Sequence, residues 1–306
     1  MTEGSRKAIL YAFCANFGIA IAKFIGFLLT SSAGLLAEAG HSAADTGNQA
    51  LLLFGGKRAR RKADTEHPFG YGRERFFWAF VVAMVLFSMG GLFALYEGIQ
   101  KVRDPHEVEG LGIAIGILVF AIALESVSLR TAYKEARQVK PAAMSWWRWI
   151  RVSKQPELTV VLLEDVGAEL GLVFALAGVT TAHITGEPRW DAVGSITIGV
   201  LLVIIAIVLA IETKGMLIGE GASPADVERI ETAFAGTSSV RRLIHVRTEH
   251  LGPEDLLVVA KVEFDPALSV AELTHAIDAA EEHVREAVPA ATLVYIEPDV
   301  YDAPPA

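Results

Sequence analysis

Apolar and polar positions fall in long blocks over the first two thirds of the chain. Six apolar blocks can be marked, at about residues 8–29, 33–56, 76–100, 111–130, 158–182 and 190–212. Each approaches or exceeds the roughly 20 residues a helix needs to cross a hydrocarbon core. The pattern predicts an all-α bundle of six transmembrane helices in a domain of residues 1–214. After Thr213 no block could span, and shorter elements follow. Pro224–Ala235 predicts a helix, with Ser223 as N-cap and Pro224 at the first helical position. Val240–Glu249 and Leu256–Phe264 predict strands joined by the Gly252-Pro253 turn. Ser269–Ala287 predicts an amphipathic helix in which Ser269 and Glu272 form a capping box, and Ala291–Glu297 a last strand. The α-β-β-α-β order over residues 215–306 predicts a small α+β sandwich.

Charge gives the bundle a direction. Lys and Arg gather in the N-terminal segment (Arg6, Lys7), between blocks 2 and 3 (Lys57, Arg58, Arg60, Arg61, Lys62, Arg73, Arg75) and between blocks 4 and 5 (Lys134, Arg137, Lys140, Arg148, Arg151, Lys154). The alternate loops hold only Lys101, Arg103 and Arg189. Positive loops stay inside, so both termini are expected in the cytoplasm of a multi-pass protein of the bacterial inner membrane. The polar start, Met1–Lys7, runs into a block long enough for a full span, so no cleavable signal peptide is expected. The net charge of −9 divides into +2 for residues 1–214 and −11 for residues 215–306. An acidic tail argues against nucleic acid as a partner and suits a soluble domain that meets cations. The one cysteine, Cys14, excludes an internal disulfide and a thiolate-rich metal site. Trp146, Trp147 and Trp149, interleaved with Arg148 and Arg151, predict an amphipathic segment anchored at the membrane interface.

Candidate chemistry lies inside the apolar blocks. Block 2 carries His41 and Asp45, and block 5 carries Glu164, Asp165 and Glu169. Ionisable side chains in hydrocarbon are costly, so they pair, line a wet cavity or hold an ion. Positions i and i+4 share a helix face, which aligns His41 with Asp45 and Asp165 with Glu169. At 1.5 Å per residue each pair lies about 12–18 Å from its end of the span, so the two fall at matching depth. Imidazole plus carboxylate is a ligand set for zinc, manganese or ferrous iron. The alternative is structural: His41 bonds a neighbouring helix and the acids pair with Lys23 of block 1.

Three stretches then carry a resemblance: EAGHSAADTGNQALLLFGGKRARRKADTEHPFGYGRERFFWAF at residues 38–80, LLEDVGAELGL at 162–172 and LIGEGA at 217–222. Over nearly its whole length the chain resembles the cation diffusion facilitators, in the branch that includes a mitochondrial animal zinc transporter. The resemblance implies a homodimer with six spans and a cytoplasmic ferredoxin-like domain, exchanging zinc or a related divalent ion for protons. It implies that His41 and Asp45 are half of the transport site. Asp165 matches the aspartate of the other half, while Val161 stands where a histidine is usual. Glu164 is then the fourth ligand, with Glu169 the geometric alternative. A loop site is implied at Asp64 and His67, with Tyr71 in place of a second histidine. In the tail His245 and His275 match ligands, whereas Lys261 and Tyr295 replace histidines. A protonated Lys offers only donors, so a metal-free dimerisation domain is the expected form there.

The sequence therefore predicts a divalent-metal efflux transporter rather than an enzyme, with no resident cofactor and with zinc, manganese or iron as cargo. Its expected partners are the lipid bilayer, divalent ions, protons and a second copy of the chain. An intramembrane metal-dependent hydrolase is the rival from another class, but no His-Glu-x-x-His motif supports it. A non-transporting metal sensor is the other. Arg73 is a candidate partner for Glu220 at the domain junction.

Overall fold

A computed structural model describes residues 3–30, 33–105 and 111–301. The chain divides into two compact units. The first runs up to Arg58 and resumes over Glu74–Lys214; the second joins Ala59–Arg73 to the chain from Gly215 onward.

The helical unit is built from α1 (Glu3–Thr30), α2 (Ala33–Arg58), α3 (Glu74–Val85), a π-helical stretch (Leu86–Leu92), α4 (Phe93–Arg103), α5 (Leu111–Val139), α6 (Trp146–Val152), α7 (Pro156–Thr185) and α8 (Arg189–Ile218). Among the described residues four helical runs are long and apolar enough to cross a membrane: Glu3–Leu29, Glu74–Arg103, Leu111–Val139 and Arg189–Ile218. Helices α2 and α7 have 26 and 30 residues, ample length, but are also the ones interrupted by the candidate ligands. Six long helical runs thus occur where six apolar blocks were marked, and four pass on apolarity.

Helix α1 packs on α2 and α5, α5 on α7, and α2 on α3. One core cluster joins them, with Ala8 and Ala12 of α1, Ala79 and Ala83 of α3, and Ala132 and Ala136 of α5. Small residues let helix backbones approach, the usual basis of packing where lipid removes the hydrophobic drive. The approach is closest between α4 and α8, where a Cβ on Gly199 would lie 2.7 Å from the Leu95 nitrogen. A buried Arg75–Glu157 pair ties α3 to α7, both side chains at 3% exposure or less. The tryptophan segment departs from expectation. Trp149 is 4% exposed and belongs to the bundle core, while Trp147 points outward at 57%. The seven-residue helix turns Trp149 inward and keeps Trp147, Arg148 and Arg151 on its exposed face.

The second unit contains α9 (Pro224–Ala235), β1 (Val240–Gly252), β2 (Asp255–Phe264), α10 (Val270–Ala287) and β3 (Leu293–Pro298). Its sheet order is β1-β2-β3, with β1 antiparallel and β3 parallel to β2. Ser223 caps α9 ahead of Pro224, and Ser269 with Glu272 completes a capping box on α10, as the local sequence predicts. Strand β2 alternates: Leu256, Val258, Ala260, Val262 and Phe264 are buried in a core shared with α9 and α10. The preceding segment, Ala59–Arg73, is held to β1. Arg73 pairs with Glu249, and a Cβ on Gly72 would meet the Leu251 carbonyl oxygen at 2.6 Å, so only glycine fits.

Candidate functional site

On α2, His41 and Asp45 face the same way as spacing predicts, with Nε2 3.7 Å from the Asp45 carboxylate. The other ring nitrogen, Nδ1, lies 3.2 Å from the Met89 carbonyl oxygen. A carbonyl can only accept, so Nδ1 is the donor in this contact and Nε2 is the nitrogen turned to Asp45. Met89 sits in the π-helical stretch. Such stretches break the regular i to i+4 ladder, and here one supplies a backbone oxygen to a neighbouring helix. A ligating histidine is commonly fixed by a bond from its other nitrogen in this way.

The adjacent acids of α7 part company, because successive residues diverge by about 100° around a helix. Glu164 turns to α2, where Asn48 and Gln49 donate to its two oxygens at 3.1 and 2.9 Å. Asp165, with no exposed surface, turns to α5 and accepts from Ser128 at 2.8 Å. Its second oxygen is buried without a hydrogen-bond partner. Glu169 follows Asp165 on that face and accepts from Ser126 at 2.9 Å. The structure thus brings His41 together with Asp45, and Asp165 with Glu169 toward one helix. It spends Glu164 on amide donors. Among the described residues no three His, Cys, Asp or Glu side chains come close enough to hold one ion.

Four partners were not anticipated: Asn48, Gln49, Ser126 and Ser128. A fifth, Glu125, is the sole acid of block 4, which was signal enough to find it.

The loop candidates serve a turn. Asp64 accepts from the backbone N–H groups of Glu66 and His67 at 3.1 and 2.9 Å and from the Tyr71 hydroxyl at 2.7 Å. The Tyr71 hydroxyl, followed by the His67 N–H, holds the Asp64 carboxyl below the usual carboxylate range; the same bond raises Tyr71. His67 lies 3.8 Å from Asp64 and stacks on Tyr71 at 4.3 Å between ring centres.

In the tail His245 pairs across the ladder with Lys261, on the face opposite the buried positions of β2. His275 is exposed on α10, which covers the other face. The Lys261 ammonium contacts Asp299 at 2.5 Å and Glu297 at 3.5 Å. Asp299 raises Lys261, and Lys261 holds Asp299 below the usual range.

Comparison with known proteins gives these features relatives. The profile of the cation efflux transmembrane domain matches residues 9–218, and that of the cation efflux protein cytoplasmic domain matches 222–299. The chain is similar to the human mitochondrial proton-coupled zinc antiporter SLC30A9, with 31% identity over 264 residues covering 86% of this chain and 46% of that protein. It is 30% identical over 269 residues to metal tolerance protein C4 of Arabidopsis thaliana, covering 88% of this chain and 59% of the relative. Zinc transporter ZitB of Pectobacterium atrosepticum is 27% identical over 260 residues, 84% of this chain and 75% of its own. The chain spans about half the length of the first two.

Proposed function

This chain belongs to the cation efflux family, the cation diffusion facilitators, and on that premise we propose that it exports a divalent metal ion in exchange for protons. Family membership places it among multi-pass membrane transporters, which sets aside the hydrolase. The six long helical runs are six spans in this reading, with α2 and α7 facing a pathway rather than lipid. The loop charges put both termini in the cytoplasm. The tail joins two copies in this reading, since the cytoplasmic-domain profile that it matches is named for a zinc-transporter dimer.

The observation that carries the proposal is the Met89–His41–Asp45 arrangement. It fixes the orientation of an imidazole, with Nε2 turned to a carboxylate on the same helix. Across the bundle Asp165 offers a buried oxygen with no other partner. Metal binding requires neutral imidazole and ionised carboxylate, so protons and metal compete for the same atoms. A free imidazole titrates near pH 6.5, within reach of physiological change. In the proposed cycle the ion enters from the cytoplasm, draws the α2 and α7 halves together, and leaves on the far side as protons replace it. Glu164 then acts as an anchor between α2 and α7 more than as a ligand.

Zinc is the proposed cargo, because two relatives are named as a zinc antiporter and a zinc transporter. Manganese and ferrous iron accept overlapping ligands. The test is metal uptake into liposomes containing the full chain, for zinc, manganese and iron under a pH gradient, with Asp45→Ala and Asp165→Ala beside the wild type. Uptake of one metal lost in both variants is the expected result. Static binding without uptake would make the protein a sensor, and unchanged uptake in either variant removes the site.

A further inference from the structure

Glu125 is not a residue the spacing argument considered. It lies in the middle of α5, is 1% exposed, and has one carboxylate oxygen buried without a hydrogen-bond partner. Its side chain is in hydrogen-bonding contact with Asp165 of α7, whose own second oxygen is likewise buried and partnerless. The carboxylates of Asp165, Asp45, Glu164 and Glu169 all lie within electrostatic reach of it. Its neighbours Ser126 and Ser128 donate to Glu169 and Asp165, so this stretch of α5 is turned squarely onto the acids of α7.

A purely structural role explains these facts poorly. Buried polar atoms are nearly always satisfied, and each exception asks for a partner that supplies what is missing. Glu164, on α7, shows what a structural carboxylate looks like here: both of its oxygens are bonded to amide donors. Glu125 and Asp165 instead leave one oxygen each unused, on adjacent helices. Two carboxylates in contact repel when both are ionised, and a dication between them removes the repulsion while occupying both free oxygens.

We infer that Glu125 is a ligand of the transported ion, so that α5 holds it together with Asp165 of α7 and the His41–Asp45 pair of α2. This inference rests on the transport site proposed above and adds a third helix to it. The donor set then has one imidazole nitrogen and carboxylate oxygens from three residues, Asp45, Asp165 and Glu125. Oxygen-rich sets suit harder cations, while added imidazole favours zinc. The substrate class is accordingly broad: zinc together with manganese or ferrous iron, with narrower discrimination than a two-histidine pocket would give.

The experiment uses the full chain in liposomes, with zinc and manganese uptake measured separately at one fixed pH gradient. Glu125→Gln keeps the shape and removes the charge; the half-saturating concentration of both metals is expected to rise at least tenfold. Glu125→His changes the donor from oxygen to nitrogen, and the zinc-to-manganese uptake ratio is expected to move at least tenfold toward zinc. A merely structural Glu125 would leave that ratio alone. Unchanged half-saturation in the first variant, or an unchanged ratio in the second, overturns the assignment. Should E125Q not fold, the E125H ratio decides by itself. In detergent, the rise in melting temperature produced by zinc or manganese alone should vanish in E125Q, and its persistence counts against the inference. The two levels separate cleanly. If Asp45→Ala and Asp165→Ala both abolish uptake and E125Q does not alter it, only the role of Glu125 falls; if either alanine variant retains uptake, the transport site falls with it.

Discussion

Asp64 shows how a residue that the resemblance offers as a ligand can be taken up by its own turn. Its two oxygens already receive two backbone N–H groups and the Tyr71 hydroxyl, the donors of a closed turn. A carboxylate so occupied is stabilised in its charged form. Replacing Tyr71 by Phe removes the largest of these effects, and the Asp64 pKa is expected to rise toward its ordinary value. The sign follows from linkage. A depressed carboxyl contributes to the loop above its unfolded pKa, and the contribution is lost as pH falls through the folded value. In Tyr71→Phe that loss begins at a higher pH, which a carboxyl carbon NMR titration of the two proteins measures. An unmoved titration would show that the hydroxyl does not bond Asp64 in solution. Lys261 makes the complementary case, raised by Asp299 and therefore favoured until pH climbs through its folded value.

At the scale of elements, helix-to-helix contacts explain both what was legible and what was not. The tail was readable nearly residue by residue, because caps, turns and strand alternation are local signals: Ser223, Pro224, Ser269 and Glu272 all act where the sequence put them. The divergence of Glu164 from Asp165 followed from helix geometry, but its use did not, since Asn48, Gln49 and Ser128 come from other helices. The π-helical stretch was invisible, because Leu86–Leu92 is as apolar as any regular span and its break is set by packing. Two stability predictions belong here. Gly199→Ala forces a Cβ against the Leu95 backbone nitrogen and should cost about 1–3 kcal/mol, whereas Gly116→Ala meets nothing within 4 Å and should be neutral or stabilising by about 0.5–1 kcal/mol. Melting the two variants in detergent checks the pair. Arg75→Met leaves Glu157 buried and uncompensated between α3 and α7, at a cost of about 3–5 kcal/mol. Loss of less than about 1 kcal/mol would mean that water reaches that pair.

For the whole molecule, the question is which ionisable groups touch the cargo. Two tail positions where the resemblance implies histidine hold residues that do not favour a cation: Lys261 places its ammonium against Asp299 and Glu297, and Tyr295 is an exposed phenol on β3. The candidate ligands His245 and His275 are held apart, His245 on the open face of the sheet and His275 outward on α10. An ammonium already compensates the nearby acids, so a metal arriving there would have to displace it and then find its ligands on opposite sides of a sheet. The membrane helices differ in kind, since their acids keep unbonded oxygens in a setting where water is scarce. The double variant His245→Ala, His275→Ala is therefore expected to keep wild-type metal affinity and uptake in liposomes, while Asp45→Ala abolishes uptake in the same preparation. Isothermal titration of zinc into the detergent-solubilised double variant gives the matching count, with no site lost relative to the wild type. A lost site, or a half-saturating concentration raised tenfold, would place a working metal in the tail and make the cargo its own regulator.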